Sequence, residues 1–288
     1  MLEITREILN VYRSRTFNST PDLLLKTREQ AVSYVNQRGF IFFWPITGML
    51  LPSLWTAVAG DRPVADAHDD PGHVTWGWKD ALLGSRSWYY AKVLRKRATM
   101  ISFKLLPYFY ALTENYGAYE EDYLTIYEQG RLTMEAKQVY EAILDNGRMD
   151  TVELRRVTHM SSRSSESRFN RAITDLQTDF KILPVAVTQS GAWRYAFAYD
   201  IVARHYPELP DQAHDIQEGK AREVLLGSFA RSVGAIRIRD VTRLFGWRPE
   251  SAAKAAAALE IQGDLVRLTV VAGVEGDWYA VRELVESS

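Results

Sequence analysis

Residues 68–73 read His-Asp-Asp-Pro-Gly-His, the densest run of acid, base and ligand types in the chain. The carboxylates of Asp69 and Asp70 stand between the imidazoles of His68 and His73. Such a group can hold a hard or borderline divalent ion, or activate water. Its spacing matches no established metal motif. Pro71 and Gly72 favour an ordered turn in which Asp69 or Asp70 accepts bonds from backbone N–H groups, and the turn reading weighs more. No resident metal and no cofactor is expected. Trp76, Trp78 and Lys79 follow directly. Two indoles beside a lysine can stack on bases, although anchoring a loop is the commoner use of buried tryptophan.

Other chemistries are excluded by absence. The chain has no cysteine, which removes disulfides, thiolate nucleophiles and the usual structural zinc ligands. Neither a GxGxxG nor a GxxxxGK[ST] phosphate loop occurs, and no GxSxG nucleophile elbow. His159 and His205 stand alone and read as surface or packing residues. Met100, Met134, Met149 and Met160 read as core filler.

Phosphate binding is the second candidate chemistry. The formal net charge is −1, so no global field draws in a polyanion. The distribution is uneven. Residues 81–113 carry six basic side chains (Arg86, Lys92, Arg95, Lys96, Arg97, Lys104) and no acid. Residues 231–248 carry five arginines against Asp240, while 114–135 is acidic. Any one block is most simply a solvated helix face. Together they can present a basic face to a phosphate backbone. The candidate contacts are Arg163, Arg168, Arg171, Arg239, Arg243, Arg248 and Lys254, with the Arg95-Lys96-Arg97 turn.

The stretch that must position the first of these is 161–178, SSRSSESRFNRAITDLQT. Ser162 or Ser165 can cap a helix. Ala172, Ile173 and Leu176 give it an apolar face, with Arg163, Arg168 and Arg171 outside. Before it come a helix over 135–144, a turn at Asn146-Gly147 and a short helix over 152–157. Two β-like runs follow, 181–188 and 193–199. Helix, short helix, basic helix and hairpin is the order of a winged helix-turn-helix, whose third helix can enter a DNA major groove. The competing reading is a small α+β module that binds protein or only packs.

The same order recurs: a helix over 221–232, a turn and short strand at 234–237, a short helix over 241–245, a third helix over 249–262 and a hairpin over 265–281. Gly147 matches Gly234, Leu154 Val241, Leu176 Leu259, Ile182 Leu265 and Trp193 Trp278, at offsets of 83 to 87 residues. Five matches in order predict an internal repeat. Ahead of the repeats, helices are expected over 3–15, 22–37, 50–59, 88–94 and 105–116. A loop is expected over 60–77, and a linker over 119–127. The predicted class is α+β and predominantly helical, with tandem winged helix-turn-helix domains bearing short β-hairpin wings. The predicted domains are 1–128, 129–206 and 207–288. Residues 40–58 are the most apolar stretch, but Pro45, Gly48 and Pro52 break it, so a buried core is expected rather than a membrane span. No signal-peptide pattern opens the chain, and a cytoplasmic location is expected.

Residues 39–60, GFIFFWPITGMLLPSLWTAVAG, resemble a stretch of the winged-helix DNA glycosylases of the AlkZ/YcaQ type. Leu54-Trp55 matches a Leu-Trp pair of that family. Trp88-Tyr89-Tyr90, the basic Arg95–Arg97 turn and Leu106-Pro107 resemble its aromatic segment and the step after it. The resemblance implies tandem winged helices and removal of alkylated or crosslinked bases from DNA. It also implies a Gln-x-Gln or Gln-x-Asp motif, and there this chain departs. Phe42 and Trp44 occupy the two motif positions. A glycosylase needs a polar group to place water and to offset positive charge growing on the sugar. Phenylalanine and tryptophan supply neither, and no Gln, Asp, Glu or Asn lies between Gly39 and Asp61. The reading is therefore a DNA-binding relative of repair glycosylases, its partner duplex DNA, without the family's usual catalytic pair. Two alternatives stand beside it. One is an active glycosylase with an altered site at Asp69 or Asp70. The other is a winged-helix transcriptional regulator or protein-interaction module.

Overall fold

The computed structural model describes residues 4–191 and 194–286. Helix accounts for 51% of the chain, with small antiparallel sheets. The chain forms two compact units. One holds Lys79–Thr99 and Leu106–Ile216. The other holds the chain up to Trp78, Met100–Leu105 and the chain from Gln217 onward.

In the Lys79–Ile216 unit the helix Met134–Asn146 starts where the Thr133 hydroxyl accepts the Ala136 N–H, and stops at Gly147. Gly147 has φ 81°, which only glycine adopts cheaply. The short strand Met149–Asp150 follows. The Asp150 carboxylate then accepts the N–H groups of Val152 and Glu153 at 2.9 and 3.0 Å, starting the helix Thr151–Val157. The third helix is Glu166–Thr178. The expected serine cap is absent from it. The hydroxyl of Ser165 bonds instead to the Ser162 carbonyl, closing a single 3-10 turn that leads into the helix. Phe169, Ala172, Ile173 and Leu176, spaced three and four apart, are buried against Val139, Tyr140, Ile143 and Leu154. The strands Ile182–Thr188 and Ala196–Ile201 form the hairpin. Across the sheet the order is first strand, third, second.

Two expectations fail in this unit. A helix is expected over 88–94, but Tyr89–Lys92 is a strand. Tyr89 and Ala91 are buried while Tyr90 and Lys92 are not, a period of two that an aromatic-rich window masks. The linker expected over 119–127 is largely taken up by the helix Asp122–Glu128, whose buried Tyr123 ring lies tilted against Tyr140 at 4.7 Å. The connection to the second repeat is also helical, at Val202–His205 and Leu209–His214.

The other unit is built on the helix Glu218–Val233. It ends at Gly234, and the strand Ala235–Ile236, the helices Ile238–Phe245 and Pro249–Gln262, and the strands Leu265–Val271 and Val274–Val281 follow. The sheet again runs first strand, third, second. Gly147 and Gly234 thus end equivalent helices, Leu154 and Val241 are wholly buried, and Ile182 and Leu265 open equivalent strands. Trp193, paired in sequence with Trp278, lies outside the described residues.

The N-terminal helix Arg6–Thr16 caps this repeat's first helix. Tyr12 donates to the Arg231 carbonyl at 2.8 Å, Arg13 to Val233 at 2.9 Å and Thr16 to Ser232 at 2.7 Å. These are carbonyls that the end of a helix leaves without partners. Burial pulls the Arg13 guanidinium down to about 10. Helix forms over Arg28–Arg38 rather than from residue 22, starting in a capping box of Thr27 and Gln30. The strand Phe40–Phe42 and the helix Leu54–Ala59 follow, the latter capped by Ser53. The expected loop is shorter than predicted, because the helix Val74–Ala81 begins inside it. Among the described residues no helix is long and apolar enough to cross a membrane.

Candidate functional site

The third helix of the first repeat turns one face to solvent. Arg163 in the preceding turn, then Ser167, Arg168, Asn170 and Arg171, are exposed. Arg168 is tethered to Glu135 at 3.2 Å. Arg155 lies over the Phe169 ring at 4.4 Å and donates to Asn170 at 3.1 Å, a cation that motif reading missed. The C-terminal half of the same helix meets the basic turn. Lys96 pairs with Asp175 at 2.5 Å, the Lys92 N–H donates to the Gln177 side chain, and Thr178 donates to the Lys92 carbonyl. Arg95 and Lys96 both hold positive φ, at 54° and 59°, which turns the chain sharply and leaves Arg95, Lys96 and Arg97 exposed. Two basic groups distant in sequence therefore lie on one helix.

In the second repeat the cations are placed differently. Arg239 and Arg243 sit on the second helix, Arg248 stands just before the third, and Lys254 alone comes from the outer face of the third. Arg239 approaches Asp240, and Arg243 donates to the Gly48 carbonyl at 3.2 Å. The third helix itself is alanine-rich and also carries Glu250 and Glu260.

Phe42 and Trp44 part company. Phe42 is wholly buried, and its N–H donates to the Pro52 carbonyl at 2.9 Å. Trp44 is only half-buried and begins a row of rings. It lies 5.9 Å from Trp76, which lies 5.9 Å from His73, itself 5.3 Å from Trp55. Trp76 is 39% exposed. The ring nitrogens in this row are unusual. His73 Nε2 is 2.9 Å from the Ala65 carbonyl, which can only accept, so that nitrogen carries the proton. Nδ1 is then a bare acceptor, and it is buried with no partner. The Trp44 indole N–H is likewise buried and unpaired.

Asp70 is committed elsewhere. Its two oxygens take Arg62 at 2.6 and 3.0 Å, and one accepts the Gly72 N–H at 2.8 Å. The Arg62 bonds, then the Gly72 bond, hold the carboxyl below its ordinary range. Arg62 in turn covers the Trp55 ring at 4.9 Å. Asp69 and His68 point to solvent as exposed residues. Among the described residues no three His, Asp or Glu side chains gather to hold a metal.

Lys79 is a buried cation. Its side chain is 5% exposed, 2.6 Å from Asp80 and 2.8 Å from the Tyr195 hydroxyl. In sequence it reads only as a companion to the tryptophans. Its real neighbours include Phe197, on the strand Ala196–Ile201, and Tyr195 just before it, more than a hundred residues away.

With its small antiparallel sheets set among short helices, the chain is similar in fold to Streptomyces sahachiroi DNA glycosylase AlkZ. The likeness has a TM-score of 0.60 and covers 99% of this chain and 72% of that one. At 12% identity it is a likeness of fold. The family model described as AlkZ related matches residues 25–246, and the chain belongs to that AlkZ-related family. No curated protein matches it.

Proposed function

We propose that this is a DNA-binding protein of tandem winged helices, related to repair glycosylases, that engages duplex DNA in the cytoplasm without the family's usual catalytic pair. The division 1–128, 129–206 and 207–288 goes with that reading, the last two segments each carrying one winged helix. The observation that carries it is the exposed basic face of Glu166–Thr178, extended by the Arg95–Arg97 turn. A helix at this place in the motif reaches a major groove, and phosphate contacts fix it there. Arg239, Arg243, Arg248 and Lys254 would add phosphate contacts around the second repeat. Phe42 supports the missing chemistry, since a buried phenyl ring neither binds water nor reaches a sugar. Gel-shift titrations of a duplex at several salt concentrations test the binding. Replacing Arg163, Arg168 and Arg171 together with alanine is expected to weaken it and to flatten its salt dependence. Unchanged affinity and slope would remove this helix from the interface.

One observation favours the second reading, an active glycosylase with an altered site. His73 offers a bare ring nitrogen beside two tryptophans, whereas Asp70 is spent on Arg62 and Asp69 is solvated. His73 is then the residue on which this reading rests, in place of either aspartate. Alkali cleavage of alkylated duplex after incubation with the protein decides between the readings. Breaks no more frequent than without protein fit the first. Breaks that vanish in His73→Gln and survive Asp69→Asn and Asp70→Asn establish the second.

A further inference from the structure

Lys79 sits in a box of rings within the Lys79–Ile216 unit. Its ammonium lies 4.6 Å from the Phe197 ring centroid, 5.5 Å from Tyr90 and 5.6 Å from Tyr195. Three polar groups close a triangle inside the box. Lys79 Nζ is 2.6 Å from Asp80 Oδ1 and 2.8 Å from the Tyr195 hydroxyl, and that hydroxyl donates to the same Asp80 oxygen at 2.9 Å. The lysine therefore has an acceptor for its proton and a hydroxyl that can follow the transfer. Rings of this kind stabilise a cation by their faces, and also keep water from it. Burial lowers the Lys79 pKa from its ordinary value, the bond to Asp80 opposing it. Tyr195 is the most exposed of the three rings. Tyr195 is 38% exposed and lies at the foot of the strand Ala196–Ile201, which is half of the first repeat's hairpin. In a winged helix that hairpin is the wing, beside the helix that meets DNA.

We infer that Lys79 is a nucleophilic amine that condenses with an aldehyde on DNA, the ring-opened sugar of a site that has lost its base. The inference rests on the DNA-binding reading for its substrate, while the amine's reactivity can be judged without it. The chemistry balances within the triangle. The Lys79 ammonium passes one proton to Asp80. The neutral Nζ then adds to the sugar C1′, a C–N bond forms, and the aldehyde oxygen leaves as water with the two amine protons. The resulting imine takes the proton back from Asp80 and becomes an iminium. Asp80, again a carboxylate, can next accept the C2′ proton. That electron pair becomes the C2′=C3′ bond, and the C3′–O bond breaks with the phosphate as leaving group. Tyr195 must swing aside to admit the sugar.

The test is reductive trapping. The protein is incubated with a duplex carrying one abasic site, sodium borohydride is added, and any covalent adduct is digested and mapped by mass spectrometry. The expected result is an adduct on Lys79, read on the unaltered protein so that no variant need fold. Lys79→Arg should lose it. Asp80→Asn, which removes the acceptor for the Lys79 proton, should slow both trapping and strand cleavage by about 10²-fold or more. Failure to trap a duplex that the same preparation binds in a gel shift would overturn the inference, as would an adduct on another lysine. If the duplex is not bound at all, the DNA-binding reading fails separately. Lys79 is then judged with acetaldehyde and cyanoborohydride near neutral pH. Alkylation of Lys79 ahead of exposed Lys104 supports a reactive amine, and labelling of Lys104 first refutes it.

Discussion

Phe42 and His205 show how one side chain can be settled by its neighbours. Phe42 stands at a position where the resemblance implies a polar residue, yet here it is core. Phe42→Gln should therefore destabilise the protein by about 3 kcal/mol, through poorer packing and a buried amide without partners. Urea unfolding measures that cost, and the alkali-cleavage assay should show no gain in excision. His205 reads in sequence as an isolated packing residue, but both its nitrogens face acceptors. Nε2 meets the Gly84 carbonyl at 2.8 Å and Nδ1 lies 3.7 Å from the Asp200 carboxylate. The Asp200 bond chiefly, with the Gly84 bond, raises the imidazole pKa above its ordinary 6.5. The raised value fixes the sign. The folded state holds the proton more tightly, so the added stability is full below the unfolded value and fades as pH rises through the folded one. Wild type minus His205→Gln, followed by urea midpoint from about pH 5.5 to 8.5, should shrink as pH rises. A constant difference would mean that the ring acts by packing alone.

The repeated elements allow a comparison within one chain. Gly147 and Gly234 end equivalent helices with φ of 81° and 83°, so an alanine at either carries backbone strain. Only Gly234 is also crowded. A Cβ there would lie 2.9 Å from Tyr12 and 3.0 Å from both Leu284 and Leu9, whereas one at Gly147 meets nothing within 4 Å. Gly147→Ala should cost roughly 1–3 kcal/mol from strain, and Gly234→Ala about 1–3 kcal/mol more from overpacking. Equal losses in thermal or urea unfolding would show that the N-terminal helix yields to the intruding methyl. The tryptophan pair proposed between the repeats cannot enter this comparison, since Trp193 lies outside the described residues.

At the scale of the molecule, the two repeats share a topology but not a charge pattern. The first carries its cations on and beside the third helix. The second carries them mainly on its second helix and at the start of an alanine-rich third. Removing Arg163, Arg168 and Arg171 should flatten the slope of log K against log salt by about 2–3, near 0.9 for each phosphate that the protein no longer neutralises. Removing Arg239, Arg243, Arg248 and Lys254 should change it less, because Arg243 is engaged with the Gly48 carbonyl and Arg239 with Asp240. A larger effect from the second set would place the principal contact on the second repeat.

The sequence alone determined what local periodicity and turn chemistry can determine. Apolar spacing of three and four marked the helix that became Glu166–Thr178. The Pro-start and Gly-end of Pro249–Gln262 gave its bounds, and the order of elements made the repeat visible. That residues 40–60 hold no Gln, Asp, Glu or Asn was also legible, since it is a matter of residue type. Tertiary structure decided the rest. The strand Tyr89–Lys92 had no helical face to show, and its period of two was hidden by aromatic neighbours. Asp70 has the chemistry of a base until Arg62 takes both its oxygens. His73 acquired a bare nitrogen only because the Ala65 carbonyl fixed its proton on the other one. Lys79 is the clearest case. Asp80 is its neighbour in sequence, but two of the three rings that strip water from it, Tyr195 and Phe197, come from a distant hairpin. Desolvation depends on which surfaces meet across the fold, and no local pattern records that.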